Sequence, residues 1–108
     1  MLARALVYEP NFLVLDEPFC NLDLKSNLIL NKNLNYLINN SVNIVYVTHN
    51  LETILEKTNR VILIKDGTII KEGKPNEIIK SNIISNLFEI SINVINQDGY
   101  WRGIPVKN

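Results

Sequence analysis

Two short apolar stretches of the chain have the pattern of β-strands. Residues 12–15 are Phe, Leu, Val and Leu and lead into Asp16, and residues 44–47 are Ile, Val, Tyr and Val and lead into Thr48 and His49. A continuous apolar run that ends in polar residues is typical of the central strands of parallel sheets, which are covered on both faces. The pattern predicts a strand at each place.

Between these strands the apolar positions follow a helical period. From residue 24 to about residue 40 they recur at i, i+4, i+7 and i+8, and Asp23 is placed to cap the helix; these positions are Leu30, Leu34, Leu37 and Ile38. Strand, helix and strand form a βαβ unit whose strands lie parallel with a right-handed crossover. The carboxyl ends of both strands, with Asp16, Glu17 and His49, are therefore expected at one sheet edge, where ligands of such sheets bind.

The flanking segments carry weaker signals. Leu2, Ala3, Leu6 and Val7 share helical spacing before Pro10, which predicts that the chain begins near the end of a helix. A short helix is predicted over residues 51–57.

The C-terminal half is predicted to be antiparallel. Asp66-Gly67 between two apolar runs is a strong signal for a two-residue hairpin turn, and Pro75 suits the first turn of a helix, with a further helix at Leu87 and Phe88. Residues 90–108 alternate loosely around Asp98-Gly99, which predicts a second, weaker hairpin. We therefore predict an α/β fold, with one part over residues 1–88 and a tail over residues 89–108.

Composition narrows the possible functions. The 108 residues are 46% hydrophobic and 20% charged, as in globular proteins, and 11 basic residues balance 11 acidic ones. This balance gives no basic field to attract nucleic acid, so no nucleic-acid partner is expected. No apolar run approaches the roughly 18–20 residues that cross a bilayer. The single cysteine, Cys20, excludes an internal disulfide and is read as a small apolar turn residue.

The adjacent carboxylates Asp16 and Glu17 are the first candidate site. At the end of a rigid strand, the first acid can hold Mg²⁺ and the second can face an attacking water. The alternative is an ordinary solvated strand end. His49, the only histidine, could equally be a surface residue, but the crossover places it at the same edge, where an imidazole could hydrogen-bond a terminal phosphate.

Four segments together resemble the ATP-binding cassette (ABC) ATPases. They occur in the family's order and approximate spacing: residues 2–6, residues 12–18, Asn21-Leu22-Asp23 and Val47-Thr48-His49. In that family the matching segments are the end of the helix after the signature motif, the Walker B strand, the D-loop and the switch histidine. The resemblance extends to about residue 88 and implies the C-terminal half of a P-loop NTPase domain.

The resemblance also implies roles and partners. Asp16 would bind Mg²⁺, Glu17 would be the general base and His49 would contact the γ-phosphate of ATP, while Asn21 and Asp23 would reach across a nucleotide-sandwich dimer. Implied partners are a second ABC ATPase subunit and membrane-spanning permease subunits on the cytoplasmic face of a membrane. Hydrolysis of ATP would then power a transporter, with import the expected direction.

The 108 residues contain neither a Gly-x-x-x-x-Gly-Lys-Ser/Thr loop nor a Leu-Ser-Gly-Gly-Gln signature. That loop provides most of the contacts that bind the phosphates, so we expect no appreciable ATP binding by these residues alone. We therefore expect a fragment, a truncated product or a split subunit. Two alternatives remain: a soluble ABC ATPase of DNA repair or translation, and an inactive remnant. Co-purification with a permease rather than with DNA or ribosomes distinguishes the first from a transporter subunit.

Overall fold

A computed structural model describes residues 4–9 and 11–107 of the chain. The chain divides into two compact units, residues 1–53 and residues 54–108. The first contains the βαβ unit, and the second contains two hairpins and two short helices. Among the residues that the structure describes, no helix has the length and apolar character needed to span a membrane.

The first unit is built on a three-stranded mixed sheet in the order β1-β2-β3. Its strands are β1 (Arg4–Glu9), β2 (Phe12–Asp16) and β3 (Asn43–Val47). β2 and β3 are parallel, and their register sets Asp16 beside Val47. The predicted parallel βαβ unit is thereby confirmed.

The helix predicted at the start of the chain is wrong for the residues that the structure describes. Arg4–Glu9 is a strand that pairs antiparallel with β2, while Leu2, Ala3 and Pro10 lie outside the described residues. An isolated helix shorter than about 12 residues is marginal in water, whereas the second edge of β2 offers backbone groups that a strand can pair. Strand pairing therefore prevails over the helical spacing.

The connecting helix α1 (Leu24–Asn39) follows the predicted stripe. The Asp23 carboxylate caps it by accepting a hydrogen bond from the backbone N–H of Ser26 at 2.7 Å. Leu34 is only 3% exposed, and burying such a side chain contributes roughly 1.5–3 kcal/mol. The other three stripe residues are half-buried: Leu30, Leu37 and Ile38.

The helix predicted over residues 51–57 is shorter in the structure. Only a single 3₁₀ turn forms, at Leu51–Thr53. Thr53 and Ile54 are β-branched, which lowers helix propensity, and Leu55 is buried. Side-chain hydrogen bonds of Asn50 and Thr53 hold this turn.

The second unit begins with the predicted hairpin. β4 (Val61–Lys65) and β5 (Thr68–Gly73) pair antiparallel around Asp66-Gly67. Asp66 and Gly67 have φ angles of 51° and 76°, and positive φ at both central residues is the mark of the type I′ turn that fits the twist of a hairpin.

Two short helices and a second hairpin complete this unit. α2 (Pro75–Ile78) and α3 (Ser81–Phe88) precede β6 (Ile92–Gln97) and β7 (Tyr100–Pro105). The predicted second hairpin is thus confirmed. The buried core is aliphatic: Leu55, Leu63, Ile78, Ile79, Ile84 and Ile92.

Serines of α3 attach the second hairpin to the helix. Ser85 Oγ accepts from the backbone N–H of Ile92 at 2.9 Å and donates to the carbonyl of the same residue at 3.1 Å. Ser81 Oγ accepts from the N–H of Val94 at 2.9 Å. β6 is therefore fastened to the preceding helix through its backbone groups. The proposed boundary at residue 88 stays a prediction.

Candidate active site

The candidate site lies at the carboxyl edge of the parallel strands β2 and β3. Asp16 is the last residue of β2 and lies beside Val47, the last residue of β3. The backbone N–H of Glu17 donates to the carbonyl of Val47 at 2.9 Å. This bond ties the carboxylate pair directly to the strand that leads into His49.

Glu17 has a left-handed backbone conformation, with φ at 48°. A residue other than glycine is rarely found there, because its Cβ crowds the backbone. Its carbonyl accepts from the N–H of Cys20 at 3.1 Å, which closes a turn, and Pro18 and Phe19 are buried within that turn. The hydrogen bond and the buried Pro18 and Phe19 therefore hold the backbone of Glu17 in this turn.

His49 and Glu17 are in direct contact. His49 Nδ1 lies 2.5 Å from Glu17 Oε1, with the Glu17 side chain 19% exposed and the His49 side chain 79% exposed. An ionised carboxylate can only accept hydrogen bonds, so Nδ1 carries the proton in this pair. The contact orients the ring and keeps most of it in solvent, where a ligand can reach it.

Asn21 and Asp23 lie in the loop between β2 and α1 and are exposed. Asn21 has a left-handed φ of 61°, which asparagine tolerates better than most residues. The Asp23 carboxylate is engaged with its own helix, and the hydrogen bonds from the backbone and then the side chain of Ser26 lower its pKa. The structure thus brings Asp16, Glu17 and His49 to one edge and leaves the other two candidates in the loop beside it.

The donor set at this edge suits magnesium as part of a nucleotide complex. Among residues 4–9 and 11–107, no three His, Cys, Asp or Glu side chains are grouped so as to hold a metal ion. Mg²⁺ is commonly bound through one or two carboxylates, with phosphates and waters completing its octahedron. Asp16 fits the role of one such carboxylate, and an all-protein metal cage does not fit.

Sequence reasoning did not predict the hydrogen bonds among three residues around His49. Thr48, Asn50 and Thr53 form a set of hydrogen bonds that includes a contact of 2.6 Å between the Thr48 and Thr53 hydroxyl oxygens. Asn and Thr side chains readily bond to backbone groups two or three residues away. The spacing of Thr48, Asn50 and Thr53 was therefore a usable signal.

Comparison with known proteins assigns the fold. A solved structure of a metal-chelate type ABC transporter in an inward-facing conformation matches with a TM-score of 0.75 and 20% identity, over 91% of this chain and 41% of that chain. At this identity the likeness concerns the fold alone. The fold is thus that of the C-terminal half of an ABC-type ATPase domain.

Sequence comparison assigns the family. The ABC transporter ATP-binding protein YlmA of Bacillus subtilis is 37% identical over the whole of this chain and 43% of its own length. The Fe(3+) ions import ATP-binding protein FbpC 1 of Rhizobium meliloti is 34% identical over 97% of this chain and 32% of its own length. No family model matches. The chain belongs to the ABC transporter ATP-binding proteins and spans less than half the length of these relatives.

Proposed function

We propose that this chain carries the hydrolytic edge of an ATPase that powers a transporter. The observation that carries the proposal is the contact between His49 Nδ1 and Glu17 Oε1 at the end of two parallel strands, directly after the Asp16 carboxylate. The family membership supports ATP as the nucleotide.

Each residue has a distinct role in the proposal. Asp16 holds Mg²⁺, whose charge offsets that of the phosphates. Glu17 accepts a proton from the attacking water as general base. His49, with both ring nitrogens protonated, would donate Nδ1–H to Glu17 and Nε2–H to a terminal phosphate oxygen, which keeps the phosphate and the water in line.

Asn21 and Asp23 are proposed to serve the dimer rather than the hydrolytic chemistry. Both are exposed in the loop after β2, and one carboxylate oxygen of Asp23 already caps α1. Their position supports a contact with a second ABC ATPase subunit in a nucleotide sandwich.

Membrane-spanning permease subunits complete the proposal. The named function of the Rhizobium relative is import of Fe(3+) ions, and this favours an importer subunit on the cytoplasmic face of a membrane over a soluble ABC ATPase of DNA repair or translation. Co-purification with a permease is the result that this assignment requires.

A chimera tests the hydrolytic role. In it, this chain replaces the matched stretch of YlmA, so that the remainder of that relative supplies the rest of the protein. Glu17→Gln should lower the hydrolysis rate by about 10² or more, since it removes the general base while keeping the side chain's size, and should leave ATP binding in place.

The control is the same substitution in the other unit. Glu72→Gln changes an exposed residue of β5 that pairs with Arg60, and it should leave hydrolysis unchanged. Equal hydrolysis by the Glu17→Gln and unsubstituted chimeras would remove Glu17 from the chemistry.

A further inference from the structure

The loop that carries His49 contains a closed ring of hydrogen bonds. Thr53 Oγ1 donates to the carbonyl of Asn50 at 2.7 Å, and the N–H of Asn50 donates to Thr48 Oγ1 at 3.1 Å. The two threonine oxygens lie 2.6 Å apart. His49 lies in the sequence between Thr48 and Asn50, two of the three residues that form this ring.

The number of hydroxyl protons determines which group donates in each hydrogen bond of the ring. Each hydroxyl has one proton, and that of Thr53 is used on the Asn50 carbonyl. Thr48 must therefore donate to Thr53, and its own oxygen accepts from the Asn50 N–H. Both hydroxyls act as donor and acceptor at once, an arrangement in which hydrogen bonds strengthen one another.

Further bonds fix both ends of the same loop. On the strand side, the Val47 carbonyl accepts from the N–H of Glu17 at 2.9 Å. On the other side, Asn50 Oδ1 accepts from the N–H of Glu52 at 3.0 Å. The backbone around His49 is thereby held on each side, while its own side chain is 79% exposed and contacts Glu17.

We propose that Thr53 is a positioning residue for His49, acting through Thr48 and the Asn50 backbone. Without the Thr53 hydroxyl, the Thr48 hydroxyl loses its acceptor, and the Asn50 carbonyl keeps the backbone N–H of Thr53 at 3.1 Å as a donor. The loop is then less restrained relative to Glu17. The structural part of this inference stands by itself, and its catalytic consequence rests on the proposed function.

The first test measures the loop in the full 108-residue chain by nuclear magnetic resonance. Thr53→Val keeps the shape of the side chain and removes its hydroxyl, so it should shift the His49 ring signals and reduce the protection of the Asn50 amide from hydrogen exchange. Thr53→Ser keeps the hydroxyl and should restore both. Thr68→Val, the same change in β5, is the control and should alter neither.

The second test measures hydrolysis in the YlmA chimera. Thr53→Val should lower kcat by about 10- to 100-fold, since a displacement of about 1 Å at a catalytic group can cost that much, with little change in KM for ATP. Thr53→Ser should recover most of the rate. Circular dichroism of each variant checks that the fold is kept.

The outcomes separate the two proposals. An unsubstituted chimera that is inactive, or one whose rate is insensitive to His49→Ala, contradicts the proposed function. A chimera whose rate depends on His49 but not on the Thr53 hydroxyl contradicts the positioning role. Unchanged His49 signals in Thr53→Val would overturn the structural part.

Discussion

At the scale of single residues, Asp23 is both the N-cap of α1 and a candidate site residue. Its carboxylate accepts from the Ser26 N–H at the first turn of α1, and this bond, with a further one from the Ser26 side chain, lowers its pKa. The ionised form is therefore favoured in the folded chain. The structural role of Asp23 is to cap the N-terminus of α1.

This lowered pKa predicts a pH dependence of stability. The pKa of the side chain is about 3.8 in the unfolded chain and lower in the folded one. The stabilisation from the charge is thus present above the unfolded value and is lost as pH falls through the folded pKa. Urea unfolding from pH 5 downward should show a steeper loss of stability for the native chain than for Asp23→Asn, which keeps an acceptor but cannot ionise. Parallel pH profiles would contradict this role of the charge.

The positions of the site residues were predictable, but their contacts were not. The rule that parallel strands end at one edge was enough to place Asp16, Glu17 and His49 together. The bond between Glu17 and His49 depends on the left-handed backbone of Glu17 and on the rotamers of both side chains, which no spacing in the sequence specifies.

At the scale of elements, the Asp-Gly pairs predicted the turns more accurately than apolar spacing predicted the helices. Both Asp-Gly pairs form the predicted hairpin turns, since glycine adopts positive φ without a steric penalty. Helical spacing was misleading where a strand edge competed for the segment, at Arg4–Glu9, and where polar side chains closed a 3₁₀ turn, at Leu51–Thr53. In both cases, hydrogen bonds to residues outside the predicted helix determined the secondary structure that forms.

The two hairpin glycines predict different responses to alanine. Both have positive φ, at 76° for Gly67 and 88° for Gly99, so a Cβ costs about 1–2 kcal/mol at each. At Gly67 the added Cβ has no heavy atom within 4 Å, whereas at Gly99 it would lie 2.6 Å from Glu56 Cδ. Moving Glu56 off its rotamer adds about 0.5–1.5 kcal/mol, so urea unfolding should show the larger loss for Gly99→Ala.

Glu56→Ala provides the control for this comparison. It removes the side chain that the new Cβ would meet, so the difference between the two glycine variants should nearly vanish in that background. A difference that persists would place the obstacle elsewhere in the second hairpin.

At the scale of the whole molecule, the fold and the family were predictable because the motifs occur in order along the chain. The match to YlmA over the full chain confirms the family. Coverage of the relatives is partial, and the cargo, the permease and the dimer belong to the proposal. Two apolar residues of β3 are exposed, Val45 at 50% and Val47 at 56%.

The central claim is that Glu17 and His49 act as one catalytic unit, and a double-mutant cycle in the YlmA chimera tests it most directly. The measurement is steady-state ATP hydrolysis by the unsubstituted protein, Glu17→Gln, His49→Ala and the double variant. Because the side chains are in contact, the double variant should lose about as much activity as the more damaging single variant, as residues that act together do. If the fold-losses in hydrolysis rate of the two single variants multiply in the double variant, Glu17 and His49 act independently, and the central claim is wrong.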